Sequence, residues 1–194
     1  MDDEDDPYRL TRIKLQNNTN LTGLMVNLYQ DAYRNCKNEY SETGYKSILN
    51  YLQEIENDNG FLAVYYQGNL LAFGIENIYG DFGENGEISE IVVSQQAKNK
   101  GVGKFLFKTI LYSLEQRGCK EIFLEVGKQN YKALNFYKNI GFEITDQDDI
   151  WFTMEYKSNI NKSNINIDNI ENNIRYNNIN HSERDKKMNV KQNI

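Results

Sequence analysis

The chain has 194 residues, of which 39% are hydrophobic and 26% are charged, and its formal net charge is -6 at pH 7. This length predicts one globular domain with a substantial core, and the lack of a basic face argues against nucleic acid as a partner. No run approaches the roughly 18 apolar residues of a membrane helix, and the start MDDEDD is acidic where a targeting peptide is basic, so we expect a cytoplasmic protein without a membrane contact.

Cysteine and histidine are too scarce to suggest redox or metal chemistry. Cys36 and Cys119 are far apart and have no CxxC or CxxH neighbour, which supports neither a disulfide framework nor a zinc site. The single histidine, His181, lies in an Asn-rich segment. We therefore expect no metal site, and chemistry performed by carboxylates, phenols, backbone groups and water.

Periodicity in the first part of the chain predicts a strand, two helices and a hairpin. YRLTRIKL (8–15) has the composition of a strand, and LTGLMVNLYQDAYRNC (21–36) spaces its apolar residues along one helical face. GYKSILNYLQEI (44–55) repeats the helical spacing. The apolar runs of residues 60–80 flank a Gln67-Gly68-Asn69 turn, which indicates a β-hairpin.

The second part alternates strands and helices. GEISEIVVS (86–94) is predicted as a strand, KGVGKFLFKTILYSLEQRG (100–118) as a helix, KEIFLEV (120–126) as a strand and NYKALNFYKNIG (130–141) as a helix. FEIT and DIWFTMEY follow as strands around the acidic loop DQDD. This order indicates a mixed α/β domain with one central sheet.

Two terminal segments differ from the domain in composition. Residues 158–194 contain 12 asparagines and no Gly, Pro, Phe or Trp, which is typical of a disordered low-complexity tail because little apolar surface can be buried. A partner-binding or assembly-prone tail is the alternative. We expect a flexible acidic segment over 1–7, a domain over 8–157 and this tail.

The stretch QQAKNKGVGK (95–104), between a predicted strand and a predicted helix, is a candidate anion site. It lacks the spacing of a P-loop and of the Rossmann fingerprint. Glycine lets a ligand approach the free N–H groups at a helix start, where the helix dipole also favours negative charge. With three lysines around Gly101 and Gly103, the segment suits a pyrophosphate, although a plain tight turn onto a surface helix has the same pattern.

Two motifs resemble the GNAT superfamily of acyl-CoA-dependent N-acetyltransferases. Lys98-Asn99-Lys100-Gly101-Val102-Gly103 is similar to its motif A, (Arg or Gln)-x-x-Gly-x-(Gly or Ala), with Lys98 departing at the first position. LEVGKQNYKALNFYKNIGF (124–142) is similar to the strand–helix segment that follows in the family, nearest to ribosomal-protein alanine N-acetyltransferases. The resemblance covers residues 8–157 and implies about four helices on a mostly antiparallel sheet of about seven strands, splayed between strands 4 and 5.

The resemblance also implies acetyl-CoA as cosubstrate and a set of residues that bind it. The backbone amides of a turn would hold the pyrophosphate, the fourth strand would pair with the pantetheine arm, and the second motif would add contacts from its helix. These residues are Lys98, Lys100, Gly101, Val102, Gly103 and Lys104 in the turn, Ile91 and Val93 in the strand, and Asn130, Ala133 and Phe136 in the helix.

N-acetylation needs a group that takes a proton from the amine and a group that gives one to the departing thiolate. Tyr137 stands where the family places the acid. Glu125, which matches the base of the ribosomal-protein enzymes, is our first candidate for the base. Glu90 comes next, as a group that holds a water chain or binds the amine, and Glu87, which aligns with the base of histone-type members, is third. A regular strand would place Glu87 and Glu90 on opposite faces, and a bulge would change that.

The acceptor is the least defined part of the expected reaction. Segments 34–46 and 145–151, which include Glu39, Glu42, Asp146, Asp148 and Asp149, correspond to the family's acceptor determinants. We expect a primary amine, either a small molecule or a peptide. Several protein N-terminal acetyltransferases of the family hold their peptide with a Phe/Tyr-Pro motif, and this sequence lacks that motif, which disfavours a peptide acceptor. The alternative function is a non-catalytic acyl-CoA-binding module, and the sequence leaves the oligomeric state open.

Overall fold

The computed structural model describes residues 8–13, 19–33, 45–55 and 59–158. The strands are β1 (Tyr8–Ile13), β2 (Asn59–Tyr66), β3 (Asn69–Tyr79), β4 (Asn85–Val93), β5 (Glu121–Gly127), β6 (Glu143–Gln147) and β7 (Trp151–Lys157). The helices are α1 (Thr19–Tyr33), α2 (Tyr45–Ile55), α3 (Val102–Gln116) and α4 (Tyr131–Ile140). None of the helices in these ranges is long and apolar enough to cross a bilayer.

The order of these elements confirms the predicted fold class, and only their ends differ from expectation. Within the described residues β1 covers Tyr8–Ile13, and α1 covers Thr19–Tyr33, so α1 begins two residues earlier than predicted. The predictions for segment 1–7, for Cys36 and for the Asn-rich tail with His181 lie outside the described residues.

The seven strands of the described residues form one sheet in the order β1-β2-β3-β4-β5-β7-β6. Five of the six neighbouring pairs are antiparallel, and only β4 and β5 run parallel. That parallel pair is short, because its ladder contains only Asn85–Glu121, Gly86–Ile122 and Glu87–Phe123. β4 continues to Val93 and β5 to Gly127 without pairing further with each other, so the sheet splays between strands 4 and 5 as predicted.

The sheet separates two apolar cores. α1 and α2 cover one face, and α3 with α4 covers the other. The four buried residues of β2 alternate between them: Phe61 and Ala63 belong to the α1–α2 core, and Leu62 and Val64 to the α3–α4 core. A strand buried on both faces has an unbroken apolar run instead of an alternating one, and each such large side chain stabilises the fold by about 1.5–3 kcal/mol.

Short local signals set the turns. Gln67 and Gly68 both have positive φ, 48° and 79°, so a two-residue turn of the hairpin type joins β2 and β3. Asn130 begins α4, where its side-chain oxygen accepts a hydrogen bond from the Ala133 amide at 3.2 Å, the usual role of an N-cap. These features depend only on neighbouring residues, which is why the sequence predicts them well.

A buried carboxylate on β3 joins three elements of the fold. Glu76 is 1% exposed, and its Oε1 accepts a hydrogen bond from Arg117 at 2.8 Å and pairs with Arg12 of β1. Arg117 follows the last residue of α3. Removing either cation would leave a buried negative charge with less compensation, which is costly, so this ion cluster fixes β1 and the end of α3 against β3.

Candidate active site

β4 and β5 separate beyond their short ladder, and this leaves a gap in the sheet. Beyond Glu87, β4 pairs only with β3, so every second peptide group along Ile88–Val93 faces the gap. Ile91 and Val93, the residues predicted to pair with pantetheine, lie in this unpaired part and pack against the α3–α4 core. An extended ligand can therefore meet free backbone hydrogen-bonding groups here.

The glycine-bearing turn lies where β4 ends and α3 begins. The first intrahelical bond of α3 runs from the Phe105 amide to the Gly101 carbonyl at 2.9 Å. The amides of Val102, Gly103 and Lys104 therefore have no carbonyl four residues earlier within the helix. Together with the positive end of the helix dipole, they form a site suited to a phosphate group.

Glycine suits positions 101 and 103 for two different structural reasons. Gly101 has φ 85°, a conformation that L side chains rarely adopt, and a Cβ there would enter open space. A Cβ on Gly103 would lie 3.1 Å from Cγ2 of Val93, so a side chain at this position would crowd the contact between α3 and β4. Lys100 and Lys104 are exposed beside the turn, and they add positive charge to it.

Lys98 is oriented away from this turn. Its Nζ donates to the Ala32 carbonyl in the last turn of α1 at 2.8 Å, and its amide donates to the Gln95 carbonyl at 3.3 Å. The resemblance assigned the amide of Lys98 to the pyrophosphate, and the three lysines of the segment suggested that its charge lies there too. In the structure both donors have partners within the protein.

Glu90 is held by three phenols that come from two helices. Tyr29 donates to its Oε1 at 3.1 Å, Tyr33 to its Oε2 at 3.2 Å, and Tyr51 to its Oε1 at 3.5 Å. Burial raises the pKa of Glu90 to about 7, against the opposing effect of the three hydrogen bonds. A carboxyl group that titrates near neutral pH is suited to proton transfer.

A β-bulge places Glu87 and Glu90 on the same face of the sheet. Ile75 pairs with Glu90 and Glu76 pairs with Ile88, so Ser89 is the extra residue. The two carboxylates therefore both face the α1–α2 side, an arrangement that a regular strand could not give. Glu87 is the last β4 residue in the ladder with β5, at the narrow end of the gap.

Glu125 faces the same side of the sheet from β5. Its neighbours Leu124 and Val126 belong to the α3–α4 core, and strand alternation directs Glu125 to the other face. It is exposed and pairs with Thr153 of β7. Three carboxylates thus lie on one face around the gap, and Glu90 is the one that accepts hydrogen bonds from three phenols.

Tyr137 belongs to the opposite side of the gap, on α4. Its ring lies 5.0 Å from that of Phe107 and 6.0 Å from that of Phe142. Burial, with a smaller contribution from the negative charge of Glu90, raises the pKa of Tyr137 to about 12. The phenol is therefore protonated at neutral pH and within electrostatic reach of Glu90.

The remaining α4 residues of the second motif have structural contacts of their own. Asn130 caps the helix, and Phe136 packs edge-on against Phe107 with ring centroids 5.3 Å apart. Ala133 is half-buried against the α3–α4 core. Lys132 donates to the side chain of Asn99, which links the start of α4 to the glycine-bearing turn across the gap.

The structure describes only some of the acidic residues predicted near the acceptor. Asp148 accepts hydrogen bonds from the Trp151 and Ile150 amides at 2.6 and 2.7 Å, which lowers the pKa of Asp148; it shapes the turn between β6 and β7. Glu39 and Glu42 lie outside the described residues. Among the residues that the structure describes, no group of three or more His, Cys, Asp or Glu side chains is placed to hold a metal ion.

The three phenols around Glu90 were not predicted from the sequence. Tyr29 and Tyr33 are four residues apart and so share one face of α1, which is a signal that could have been found. Nothing in the local pattern connects them with Tyr51 or with a carboxylate on β4. The chain has 14 tyrosines, so residue type alone does not select these three.

A parallel β4–β5 pair that opens beside a glycine-bearing helix start is the arrangement of the GNAT fold. Comparison with known proteins agrees: the model of the Acetyltransferase (GNAT) family matches residues 24–142. The chain belongs to this family.

Three similar proteins illustrate the likeness. A spermine/spermidine N(1)-acetyltransferase of Bacillus subtilis is 27% identical over 94 residues, which are 45% of this chain and 62% of that relative. The chain thus matches less than two thirds of that relative's length. The PaiA N-acetyltransferase of Thermoplasma acidophilum, solved in complex with coenzyme A, is 19% identical, with a TM-score of 0.62 over 78% of this chain and 99% of that one.

The third is the ribosomal-protein-S18-alanine N-acetyltransferase of Escherichia coli. It is 17% identical, with a TM-score of 0.63 over 81% of this chain and 98% of that one. At these identities the two solved structures show that the fold is shared.

Proposed function

We propose that this protein transfers the acetyl group of acetyl-CoA to a primary amine, with Glu90 as general base and Tyr137 as general acid. The observation that carries the proposal is the combination of a half-buried carboxyl group, bound by three phenols, with a half-buried phenol on α4 at one gap in the sheet. Membership of the acetyltransferase family supports the reaction class. The choice of Glu90 over Glu125 and Glu87 is based on its burial and hydrogen bonds.

The chain has the features needed to bind the coenzyme. The free amides at the start of α3 suit the pyrophosphate, and the side-chain-free positions Gly101 and Gly103 allow close approach of its oxygens. The unpaired edge of β4 suits an extended arm. When bound, acetyl-CoA supplies an acetyl group activated as a thioester.

Glu90 prepares the amine. An alkyl ammonium has a pKa of about 10.4 and cannot attack until it loses a proton. With a pKa of about 7, Glu90 is substantially ionised at neutral pH, and it accepts that proton directly or through a water molecule. The neutral amine nitrogen then bonds to the carbonyl carbon of the acetyl group, the carbon–sulfur bond breaks, and the nitrogen releases its second proton to water as the amide forms.

Tyr137 protonates the leaving group. It donates its phenolic proton to the departing thiolate sulfur, and solvent returns a proton to the phenolate. A pKa of about 12 keeps the donor loaded throughout the neutral range, and burial limits loss of that proton to bulk water.

The acceptor is a small amine with more than one positive charge. Glu87, Glu90 and Glu125 face one side of the sheet around the gap, and together they attract a second ammonium group in addition to the reacting one. The similarity to a spermine/spermidine acetyltransferase agrees with this choice. A monoamine would gain only part of the attraction.

The test is release of free thiol from acetyl-CoA by the full chain with matched acceptors. We expect kcat/KM for 1,4-diaminobutane and spermidine to exceed that for butylamine at least tenfold. Equal values would refute the multi-cationic acceptor. Absence of turnover with any amine, including aminoglycosides and an N-terminal alanine peptide, despite tight binding of acetyl-CoA, would instead indicate a non-catalytic binding module.

The base is tested with three matched variants: Glu90→Gln, Glu87→Gln and Glu125→Gln. Each removes one carboxylate from the same face, so a general loss of attraction would raise the amine KM in all three. Only Glu90→Gln should also remove the acidic limb of the kcat profile against pH. Loss of that limb in Glu125→Gln instead would transfer the role to Glu125.

A further inference from the structure

The side chain of Lys98 has an unexpected partner for a lysine beside a phosphate site. Its Nζ lies 2.8 Å from the Ala32 carbonyl, one residue before the end of α1. The last carbonyls of a helix have no intrahelical partners, and the helix dipole makes that end negative. A lysine there is stabilised by the helix itself without any ligand.

Gln95 adds three hydrogen bonds to the same helix end. Its amide donates to Oδ2 of Asp31 at 2.8 Å, and its Nε2 donates to the carbonyls of Asp31 and Ala32 at 3.0 and 3.1 Å. We call these four residues, Asp31, Ala32, Gln95 and Lys98, the α1 clasp. The clasp joins the segment between β4 and α3 to the last turn of α1.

The last turns of α1 also carry two of the phenols that hold Glu90. Tyr33 lies one residue after Ala32, and Tyr29 lies one turn earlier on the same face. The clasp residue Lys98 is three residues before Gly101, and the free amides of α3 follow at once. The anion site and Glu90 are thus connected by the short chain segment from Gly101 to Lys98, the clasp hydrogen bonds, and the phenols of α1.

We infer that Lys98 and Gln95 are positioning residues for the acceptor site, through which occupation of the anion site orders the end of α1. A bound pyrophosphate fixes the turn that carries the clasp, the clasp fixes the end of α1, and Tyr33 and Tyr29 then hold Glu90 in place. Coenzyme and amine consequently favour each other's binding, and the coupling is reciprocal. The part that concerns the amine rests on the proposed function.

The first test needs no turnover. Hydrogen–deuterium exchange of the full chain is followed at residues 26–33 with and without coenzyme A, which lacks the acetyl group. We expect coenzyme A to slow exchange there at least fivefold in the wild type and less than twofold in Lys98→Met and Gln95→Ala. Lys98→Arg, which keeps a charged donor, should restore the protection, and Lys120→Met is the control for loss of an exposed lysine.

The second test measures affinity. Calorimetric titration of spermidine should show binding at least fivefold tighter in the presence of coenzyme A in the wild type, and less than twofold tighter in Lys98→Met. The Kd for coenzyme A alone should change less than twofold in that variant. Unfolding curves of both clasp variants identify a general loss of structure, which Lys98→Arg would not share.

Three results would overturn the inference: no change in α1 exchange when coenzyme A binds to the wild type, equal protection in Lys98→Met, or a tenfold weaker Kd for coenzyme A in that variant. The last would show that Lys98 is a phosphate ligand. If no amine is acetylated but the exchange pattern depends on Lys98 as expected, the coupling of the anion site to the end of α1 is supported and the proposed function is refuted.

Discussion

Replacing Glu90 by glutamine tests the burial of this carboxyl group and its chemistry in one variant. Glutamine has nearly the same shape, and its side-chain oxygen can still accept hydrogen bonds from Tyr29 and Tyr51, which both donate to Oε1. Tyr33 would face the amide NH₂ and can reverse its hydrogen bond. We therefore expect the variant to fold, without a titratable group at this position.

The effect on stability follows from the difference between the folded and unfolded pKa values of Glu90. Burial raises the pKa from its ordinary value of 4.5 to about 7, so the folded chain binds a proton that the unfolded chain has released. The contribution of Glu90 to the free energy of unfolding is thus highest at low pH and is lost as the pH rises through about 7. The total loss is about 3 kcal/mol, and about 2 kcal/mol of it falls between pH 5.5 and pH 8.

Urea unfolding of the wild type and of Glu90→Gln between pH 5.5 and pH 8 measures this difference. We expect the advantage of the variant in unfolding free energy to grow by about 2 kcal/mol over that range. Two neighbouring phenols, Tyr29 and Tyr137, have raised pKa values and stay protonated over that range. A constant difference between the two proteins would refute the raised pKa.

The same variant should lose about 10²- to 10⁴-fold in kcat. The wild-type kcat should fall below an apparent pKa of about 7, and this limb should be absent from the residual activity of Glu90→Gln. A wild-type profile that stays flat down to pH 5.5 would show that Glu90 is not the base.

Tyr137→Phe should lower kcat about 10²-fold or more and change the Kd for coenzyme A less than twofold, because the phenol is placed as a proton donor; an unaltered kcat would remove that role. Gly103→Asp should weaken coenzyme binding more than tenfold, since its Cβ would crowd Val93 and its charge would repel phosphate; calorimetry showing normal affinity would contradict the site. Arg117→Met should lower the free energy of unfolding by about 1–3 kcal/mol because Glu76 loses one of its two cations, without altering coenzyme affinity. Unchanged urea curves would mean that Arg12 alone compensates the buried charge.

The sequence by itself determined the order of the elements and the family, and it predicts the position of the anion site. Each of these is encoded locally: alternating or helical periodicity, Gly101 and Gly103 before an apolar helix, and Asn130 at the start of α4. The free backbone amides at the start of a helix favour an anion, and this property does not depend on residues elsewhere in the chain. The turn after β4 could therefore be predicted without knowing the tertiary contacts.

Only the tertiary structure decided which side chains meet at the gap. The bulge at Ser89, which puts Glu87 and Glu90 on one face, depends on how β4 pairs with β3 and has no signature in the periodicity. Tyr51 is 39 residues from Glu90, and a raised pKa requires the whole surrounding core. Lys98 could have reached either the turn or α1, because its stem is long and flexible; the carbonyls at the end of α1 decided the direction.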